Sequence, residues 1–207
     1  NKWTNMGIKG WRLDVADELP DEFIKLLKQS IREEKSDTVL IGEVWEDASN
    51  KMSYSKKREY LFGYELDSIT NYPLRQLIIE YSKKQISSEY FIKRYKSLLE
   101  NYPRENFFST MNMLGTHDTE RILTILEGKI EQLKIAVLLQ MTLPGVPLIY
   151  YGDEAGLKGG KDPDNRKPYP WGKEDIEVIN IYKNLCSLRA SENILKNGDI
   201  EFRNSFE

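Results

Sequence analysis

Near its start the chain contains the run Gly10-Trp-Arg-Leu-Asp-Val15, a short and mostly apolar segment that also carries one arginine and one aspartate. Short apolar runs that are rich in branched and aromatic residues are typical of buried parallel strands. Four further runs of this kind follow, at 38–45, 64–69, 107–115 and 146–151. The sequence therefore predicts five strands.

Helical patterns are predicted between these runs, with one helix between neighbouring strands and two helices between the third and fourth. Apolar residues recur at helical spacing in 74–81, 91–102 and 130–141, and a last helix is predicted over 176–189. A helix over 19–35 is predicted to bury an apolar stripe of Phe23, Leu26, Leu27 and Ile31. Strands that alternate with helices indicate a parallel sheet covered by helices.

Alternation alone fits both an open doubly wound sheet and a closed (β/α)8 barrel. Acids or a His-Asp pair lie in or just after the first, second and fourth strands, as expected where barrel strands deliver catalytic groups to one face. We therefore predict an α/β fold, namely part of a TIM (β/α)8 barrel, about strands 4 to 8 with their helices. The remaining strands are expected to precede Asn1.

The composition excludes several classes of function. With 33 acidic and 30 basic residues and no separate basic block, nucleic acid and anionic membranes are not expected partners. No apolar stretch reaches the roughly 18 residues of a membrane span, and no signal peptide opens the chain, so we expect a soluble, cytoplasmic protein. Cys186 is the only cysteine and is predicted to lie in the core, and one histidine excludes a multi-histidine metal site. A nucleotide-binding open sheet would need a glycine-rich phosphate loop after a strand, which the sequence lacks.

Asp14 follows Arg12 by two residues within the first predicted strand. Alternate residues of a strand point to the same side, so the two side chains can form an ion pair. A neighbouring guanidinium stabilises the ionised carboxylate that a nucleophile requires. A structural ion pair at a strand end is the alternative, and this segment alone leaves both interpretations open.

Glu43 lies between Gly42 and Val44-Trp45, at the end of the second predicted strand. Apolar and aromatic neighbours favour the protonated carboxyl group that a general acid needs. Gly42 allows another group to approach the backbone closely. Trp45 is expected either to stack on the face of a sugar or to belong to the core.

His117 and Asp118 are adjacent in a turn predicted to follow the fourth strand. Such side chains can bind hydroxyl groups and hold negative charge near a developing cation. The alternative is that Asp118 caps a helix over 119–126. Carboxylates at several strand ends suit the cleavage of a glycosidic bond, in which one acid attacks the anomeric carbon and a second protonates the leaving oxygen.

Four ordered motifs carry a family resemblance: Gly10-Trp-Arg-Leu-Asp-Val-Ala-Asp-Glu18, Gly42-Glu-Val-Trp45, Leu114-Gly-Thr-His-Asp-Thr119 and Pro144-Gly-Val-Pro-Leu-Ile-Tyr-Tyr-Gly-Asp-Glu154. In order and approximate spacing they resemble glycoside hydrolase family 13, the α-amylase family. The resemblance spans residues 9–189.

The resemblance implies a retaining α-glycosidase that requires no cofactor. Asp14 would be the nucleophile, Glu43 the acid/base, and Asp118 the carboxylate that stabilises the oxocarbenium-like transition state. Arg12 would orient Asp14, and His117 would hydrogen-bond the sugar at the point of cleavage. Two displacements would retain the α-anomer, with the carboxyl groups of Asp14 and Glu43 roughly 5 to 5.5 Å apart.

Two segments, 159–171 and Asn71-Tyr72-Pro73-Leu74, resemble the cyclomaltodextrinase, neopullulanase and maltogenic amylase branch of that family. Branches related to oligo-1,6-glucosidases are the alternative. Asp162 and Arg166 match positions that bind a sugar in the family, although a loop salt bridge would also explain them. The segment Ala16-Asp17-Glu18 matches the contact with the acceptor sugar. The expected partners are α-glucan oligosaccharides, including cyclodextrins.

The family's first signature and its inserted small domain are absent from the sequence. Some relatives bind structural calcium in that domain, so the resemblance allows such a site in the parent enzyme, with ligands outside these residues. We expect 1–190 to be the C-terminal portion of the catalytic barrel and 191–207 to lead into a truncated C-terminal β-domain. These residues alone are expected to show little or no activity. A second copy is an expected partner, either through self-association of these residues or through dimerisation of the parent protein. The alternative function is a non-catalytic scaffold, but such relatives lose one or more of the acids, and all three are present.

Overall fold

The structure, a computed structural model, describes residues 2–62 and 65–203. The chain forms two compact units. The first unit comprises Asn1–Pro73 and Lys96–Met111, and the second comprises Leu74–Tyr95 and Asn112–Glu207.

Helices and strands alternate along much of the described chain. The α-helices, α1 to α9, are Lys2–Asn5, Asp21–Glu34, Tyr72–Ser82, Ser88–Asn101, Arg104–Ser109, Ile122–Ile125, Ile130–Thr142, Ile176–Ser191 and Ile194–Asn197. The β-strands, β1 to β7, are Gly10–Leu13, Val39–Gly42, Met52–Ser53, Lys56–Lys57, Ser68–Ile69, Met111–Met113 and Val146–Leu148. No helix of the described residues is long and apolar enough to cross a membrane.

A parallel three-stranded sheet in the order β1-β2-β5 forms the centre of the first unit. Leu13 pairs with Gly42 at the end of the β1–β2 ladder, and a further parallel bridge joins Thr70 to Met111. Parallel strands end at the same edge of a sheet, so the residues that follow β1 and β2 lie side by side. Those residues are Asp14 and Glu43.

Helix α2 connects β1 to β2 and buries a different stripe from the one predicted. Ile24, Lys28 and Ile31 are buried, whereas Phe23 is 49 % exposed and Leu26 is 64 % exposed. On the buried face, the Lys28 ammonium lies 3.1 Å from a carboxylate oxygen of Asp67. The predicted burial is confirmed for Ile31, is partial for Leu27, and is wrong for Phe23 and Leu26.

Two other predicted elements of the first unit are wrong. The helix expected between the second and third strands is replaced by the antiparallel β3–β4 hairpin, whose turn residues Tyr54 and Ser55 have positive φ. Residues 107–109 of the predicted fourth strand belong to α5, which follows Pro103 and buries Phe107 completely. The strand at 64–69 is observed at Ser68–Ile69, and its predicted first residue lies outside the described residues.

The second unit contains the sheet formed by β6 and β7 and the packed helices α7 and α8. The predicted stripe of α7 is confirmed, because Leu133, Val137 and Met141 are buried. Helix α8 starts where predicted, since the Asp175 side chain accepts hydrogen bonds from the first-turn N–H groups. Cys186 on this helix is half-buried rather than in the core, and desolvation raises the pKa of its thiol. The β-domain predicted to follow 190 stays a prediction, and 204–207 lie outside the described residues.

Asp67 is expected to be a main determinant of stability in the first unit. One carboxylate oxygen lies within 3.1 Å of Lys28 and 2.6 Å of Arg32, and the other accepts a hydrogen bond from the Leu40 N–H. Replacing Asp67 with Asn leaves the buried Lys28 unpaired, so we expect the free energy of unfolding to fall by about 3 kcal/mol. Urea denaturation measures this change.

The matched control is Asp37→Asn, which breaks an exposed ion pair with Lys9. Since exposed pairs contribute little, this variant is expected to lose less than about 1 kcal/mol. Equal losses of unfolding free energy in the two variants would contradict a structural role for the contacts of Asp67 with Lys28, Arg32 and Leu40.

Candidate active site

The first group of predicted site residues lies at the ends of β1 and β2, in the first unit. The ladder continues one step past the strands, because the Glu43 N–H donates to the Leu13 carbonyl oxygen over 2.9 Å. The Ala16 N–H in turn donates to the Glu43 carbonyl oxygen over 3.2 Å. The backbone therefore fixes Asp14 beside Glu43.

Arg12 contacts both acids through one guanidinium group. Its Nη1 is hydrogen-bonded to Oδ1 of Asp14, and its Nη2 lies 2.8 Å from Oε1 of Glu43. The predicted pairing of Arg12 with Asp14 is confirmed, and the contact with Glu43 is an additional finding. A planar cation between two carboxylates offsets their repulsion and fixes the direction of each.

Glu43 is nearly fully buried, yet its surroundings are more polar than predicted. Besides Arg12, it accepts hydrogen bonds from the Val15 N–H over 3.0 Å and from the Tyr72 hydroxyl over 3.3 Å. Val15 has a φ of 45°, an unusual value for a β-branched residue. This local strain accompanies the contact of its N–H with the carboxylate. Glu43 is thus held at both oxygens by polar groups that the sequence pattern did not predict.

Trp45 stacks on Tyr72, with ring centroids 4.0 Å apart and planes 10° apart. Tyr72 is buried, whereas Trp45 is 46 % exposed, so Trp45 is not a core residue. The predicted close approach to Gly42 is confirmed, because a Cβ there would lie 2.4 Å from a methyl carbon of Leu66. The contacts of Tyr72 with Trp45 and Glu43 were not predicted from the sequence.

In the segment 16–18, which follows Asp14, the side chains of Ala16 and Asp17 are buried or bonded within the protein, and that of Glu18 is exposed. Ala16 is fully buried, and the Asp17 carboxylate accepts from the Tyr60 hydroxyl over 2.6 Å and lies 3.2 Å from the Lys51 ammonium. Glu18 lines a cavity of about 380 Å³ together with Tyr54. Of the three residues predicted to face the acceptor sugar, Glu18 therefore has the accessible side chain.

The second group of predicted site residues lies in the second unit. His117 Nε2 is 3.0 Å from Oδ2 of Asp118, and Arg166 Nη2 is 3.3 Å from Oδ1 of the same carboxylate. Arg166 Nε lies 3.2 Å from Oδ1 of Asp162, so the loop salt bridge is present as well. The structure brings these four residues together, and each is partly exposed.

Asp118 does not cap a helix, so that alternative is wrong. Helix α6 begins at Ile122, its N-cap position is Arg121, and no side chain caps it. The Asp118 N–H donates to the Thr116 hydroxyl over 3.2 Å, which shapes the turn. The carboxylate is therefore directed to His117 and Arg166 rather than to a helix end.

Behind this group lies a buried ion pair that the sequence did not reveal. The side chains of Arg121 and Asp153 are almost completely buried, and Nη1 of Arg121 lies 3.0 Å from Oδ1 of Asp153. The guanidinium also lies over the rings of Tyr150 and Tyr151, 4.1 and 4.7 Å from their centroids. Burial raises the pKa of Asp153 to about 7, against the opposing effect of Arg121. Asp153 thus depends on Arg121 for its negative charge.

Among the described residues, no group of three or more His, Cys, Asp or Glu side chains could hold a metal ion.

Residues 1–178 match the family described as "Alpha amylase, catalytic domain".

The chain belongs to the α-amylase family.

Its relatives in the α-amylase family include much longer proteins. The chain is 37 % identical to an amylopullulanase of Thermoanaerobacter thermohydrosulfuricus, over 95 % of this chain and 14 % of that protein. It is 36 % identical to a cyclomaltodextrinase of Geobacillus thermopakistaniensis, over 94 % of this chain and 32 % of that protein. The chain thus spans a third or less of the length of these relatives.

Solved structures of the family agree with the fold. A cyclic α-maltosyl-(1→6)-maltose hydrolase from Arthrobacter globiformis, in complex with maltose, superimposes with a TM-score of 0.87 at 28 % identity. The match covers 94 % of this chain and 43 % of that one. The predicted fold class, a partial (β/α)8 barrel, is confirmed, as is the predicted family.

Gly115 is expected to be essential for the buried ion pair. A Cβ at this position would lie 2.2 Å from Oδ2 of Asp153. Gly115→Ala therefore displaces Asp153 and leaves the buried Arg121 without its counter-ion, which we expect to cost about 3 kcal/mol of unfolding free energy. Chemical denaturation provides the measurement.

Gly10→Ala is the matched control, because a Cβ there meets its nearest neighbour at an ordinary 3.7 Å. We expect this variant to stay within about 1 kcal/mol of the parent. If Gly115→Ala were as stable as Gly10→Ala, the packing of Asp153 against Gly115 would not be required.

Proposed function

We propose that the protein containing this chain is a retaining α-glycosidase that acts on α-glucan oligosaccharides. Asp14 is the nucleophile and Glu43 is the acid/base. The observation that carries the proposal is the Arg12 guanidinium, which contacts both carboxylates at the ends of adjacent parallel strands. An ion pair that served stability alone would need one acid, whereas double displacement needs two acids close together.

In the first step, the Asp14 carboxylate attacks the anomeric carbon while the bond to the leaving oxygen breaks. Glu43 gives its proton to that oxygen, so the leaving sugar departs as a neutral alcohol and a covalent glycosyl ester forms on Asp14. Asp14 is well suited to this role because Arg12 stabilises its ionised form and its side chain is largely exposed.

In the second step, Glu43 takes a proton from water, and the water oxygen displaces Asp14 from the anomeric carbon. Formation of the ester removes the negative charge of Asp14. Of the two acids that contact Arg12, Glu43 is then the one in the carboxylate form, because it gave up its proton in the first step. The Arg12 guanidinium, 2.8 Å from Oε1 of Glu43, then lies beside the carboxylate that acts as the base.

The second group of residues fits the binding of the reacting sugar. We propose that Asp118 stabilises the positive charge that develops on the sugar ring, and that His117 hydrogen-bonds its hydroxyl groups. Asp162 and Arg166 then bind a sugar beside it. Trp45, stacked on Tyr72 and nearly half exposed, offers an aromatic surface to a sugar face.

The substrate class is inferred from the relatives. Their names, amylopullulanase and cyclomaltodextrinase, point to α-linked glucose polymers and cyclic oligomers. The proposed chemistry uses side chains alone, without a cofactor. A cytoplasmic location, dimerisation of the parent protein, and the inactivity and self-association of these 207 residues alone stay predictions.

Replacement of each acid by Ala in the full-length protein tests the two roles. Asp14→Ala and Glu43→Ala are each expected to lower kcat on malto-oligosaccharides by about 10⁴-fold. The reaction of each variant with azide and an activated α-glycosyl substrate then distinguishes the nucleophile from the acid/base. Glu43→Ala is expected to form the α-glycosyl azide, because azide attacks the glycosyl ester, whereas Asp14→Ala is expected to form the β-azide by direct attack. NMR of the products identifies the anomer.

Glu192→Ala, which removes an exposed acid at the end of α8, is the matched control and is expected to keep full activity. The roles would be refuted if both variants gave the same azide anomer, or if either variant kept the activity of the control.

A further inference from the structure

Asn165 is a completely buried amide in the loop that also carries Asp162 and Arg166. Its Nδ2 donates to the carbonyl oxygen of His117 over 2.7 Å and to that of Thr119 over 2.9 Å. These two carbonyl groups belong to the residues on either side of Asp118. One side chain therefore holds the backbone on both sides of that carboxylate.

The orientation of the amide is fixed by its partners. Both facing groups are carbonyl oxygens, which only accept hydrogen bonds, so the Asn165 side chain must present its NH₂ group to them. An aspartate has the same shape but would place an oxygen against two oxygens. This site thus requires an amide rather than a side chain of matching size.

Asn165 is held in turn by the buried ion pair. Arg121 Nε donates to the Asn165 carbonyl oxygen over 2.8 Å, and the same guanidinium pairs with Asp153. The backbone N–H of Arg121 also donates to the Gly159 carbonyl oxygen over 3.0 Å. A continuous series of polar contacts therefore leads from Asp153 through Arg121 and Asn165 to the turn that carries Asp118.

We propose that Asn165 is a positioning residue for Asp118, and that Arg121 holds Asn165 in place through its backbone carbonyl oxygen. The inference rests on the proposed function, in which Asp118 stabilises the transition state. Rupture of the two hydrogen bonds removes the restraint at the Thr119 carbonyl oxygen and leaves the His117 carbonyl oxygen with Arg166 Nε, 3.0 Å away, as its contact from this loop. The loosened turn then lets the carboxylate shift from its place between His117 and Arg166. Small displacements of a catalytic group lower the rate far more than they lower substrate binding.

Asn165→Asp in the full-length protein is the direct test, assayed on an α-maltoside. We expect kcat to fall by about 100-fold, with KM changed by less than about threefold. Circular dichroism at the assay temperature gives the folded fraction, by which kcat is corrected. Should this variant not fold, Asn165→Ser, which removes both N–H donors without adding charge, takes its place.

A double-mutant cycle separates positioning from folding. If Asn165 acts through Asp118, Asn165→Asp is expected to have little further effect on kcat in an Asp118→Asn background. A purely structural role would lower kcat by the same factor in both backgrounds and would overturn the proposal. So would a folded Asn165→Asp variant with the kcat of the parent.

Asn180→Asp, an exposed change on α8 that alters charge in the same way, is the matched control and is expected to keep the parent kcat. The Asp118→Asn single variant tells the two proposals apart. If it is fully active, the proposed function fails. If it is inactive while Asn165→Asp stays active, only the positioning role fails.

Discussion

The shared guanidinium of Arg12 is the interaction on which the first unit's chemistry depends. Parallel pairing of β1 with β2 brings Asp14 and Glu43 to adjacent strand ends, where two carboxylates would repel each other. Arg12 contacts both and offsets that repulsion. Burial of Glu43 strengthens the requirement, because a buried carboxylate needs partners. The Val15 N–H and the Tyr72 hydroxyl supply them, and the strained φ of Val15 accompanies this arrangement.

In the second unit, the buried ion pair of Arg121 and Asp153 supports the turn that carries the partly exposed carboxylate of Asp118. Arg121 is enclosed by protein, paired with Asp153 and covered by two tyrosine rings. Through Asn165 it reaches the turn that carries Asp118, whose carboxylate remains partly exposed. The groups proposed to bind sugar can stay accessible because the network that orients them is buried.

Sequence patterns were sufficient for the features that depend on local order. Apolar runs predicted the positions of β1, β2, β5, β6 and β7 but not the β3–β4 hairpin, and the spacing of Arg12 and Asp14 predicted their ion pair. Features that depend on residues distant in the sequence were missed. The buried Lys28 of α2 pairs with Asp67, and Asn165 donates hydrogen bonds to the carbonyl groups on either side of Asp118. The helix at 107–109 was missed because apolar residues of a short buried helix resemble those of a strand.

The identity of the nucleophile is the claim with the most direct test. A 5-fluoroglycosyl fluoride of the α-glucan series slows hydrolysis of the glycosyl ester, so that the ester accumulates on the full-length protein. Peptide mass spectrometry then locates the label. Labelling of Asp14, in the peptide that contains Arg12 or begins after it, is the expected result. A label on Glu43 or Asp118, or turnover without any covalent intermediate, would contradict the proposed double displacement.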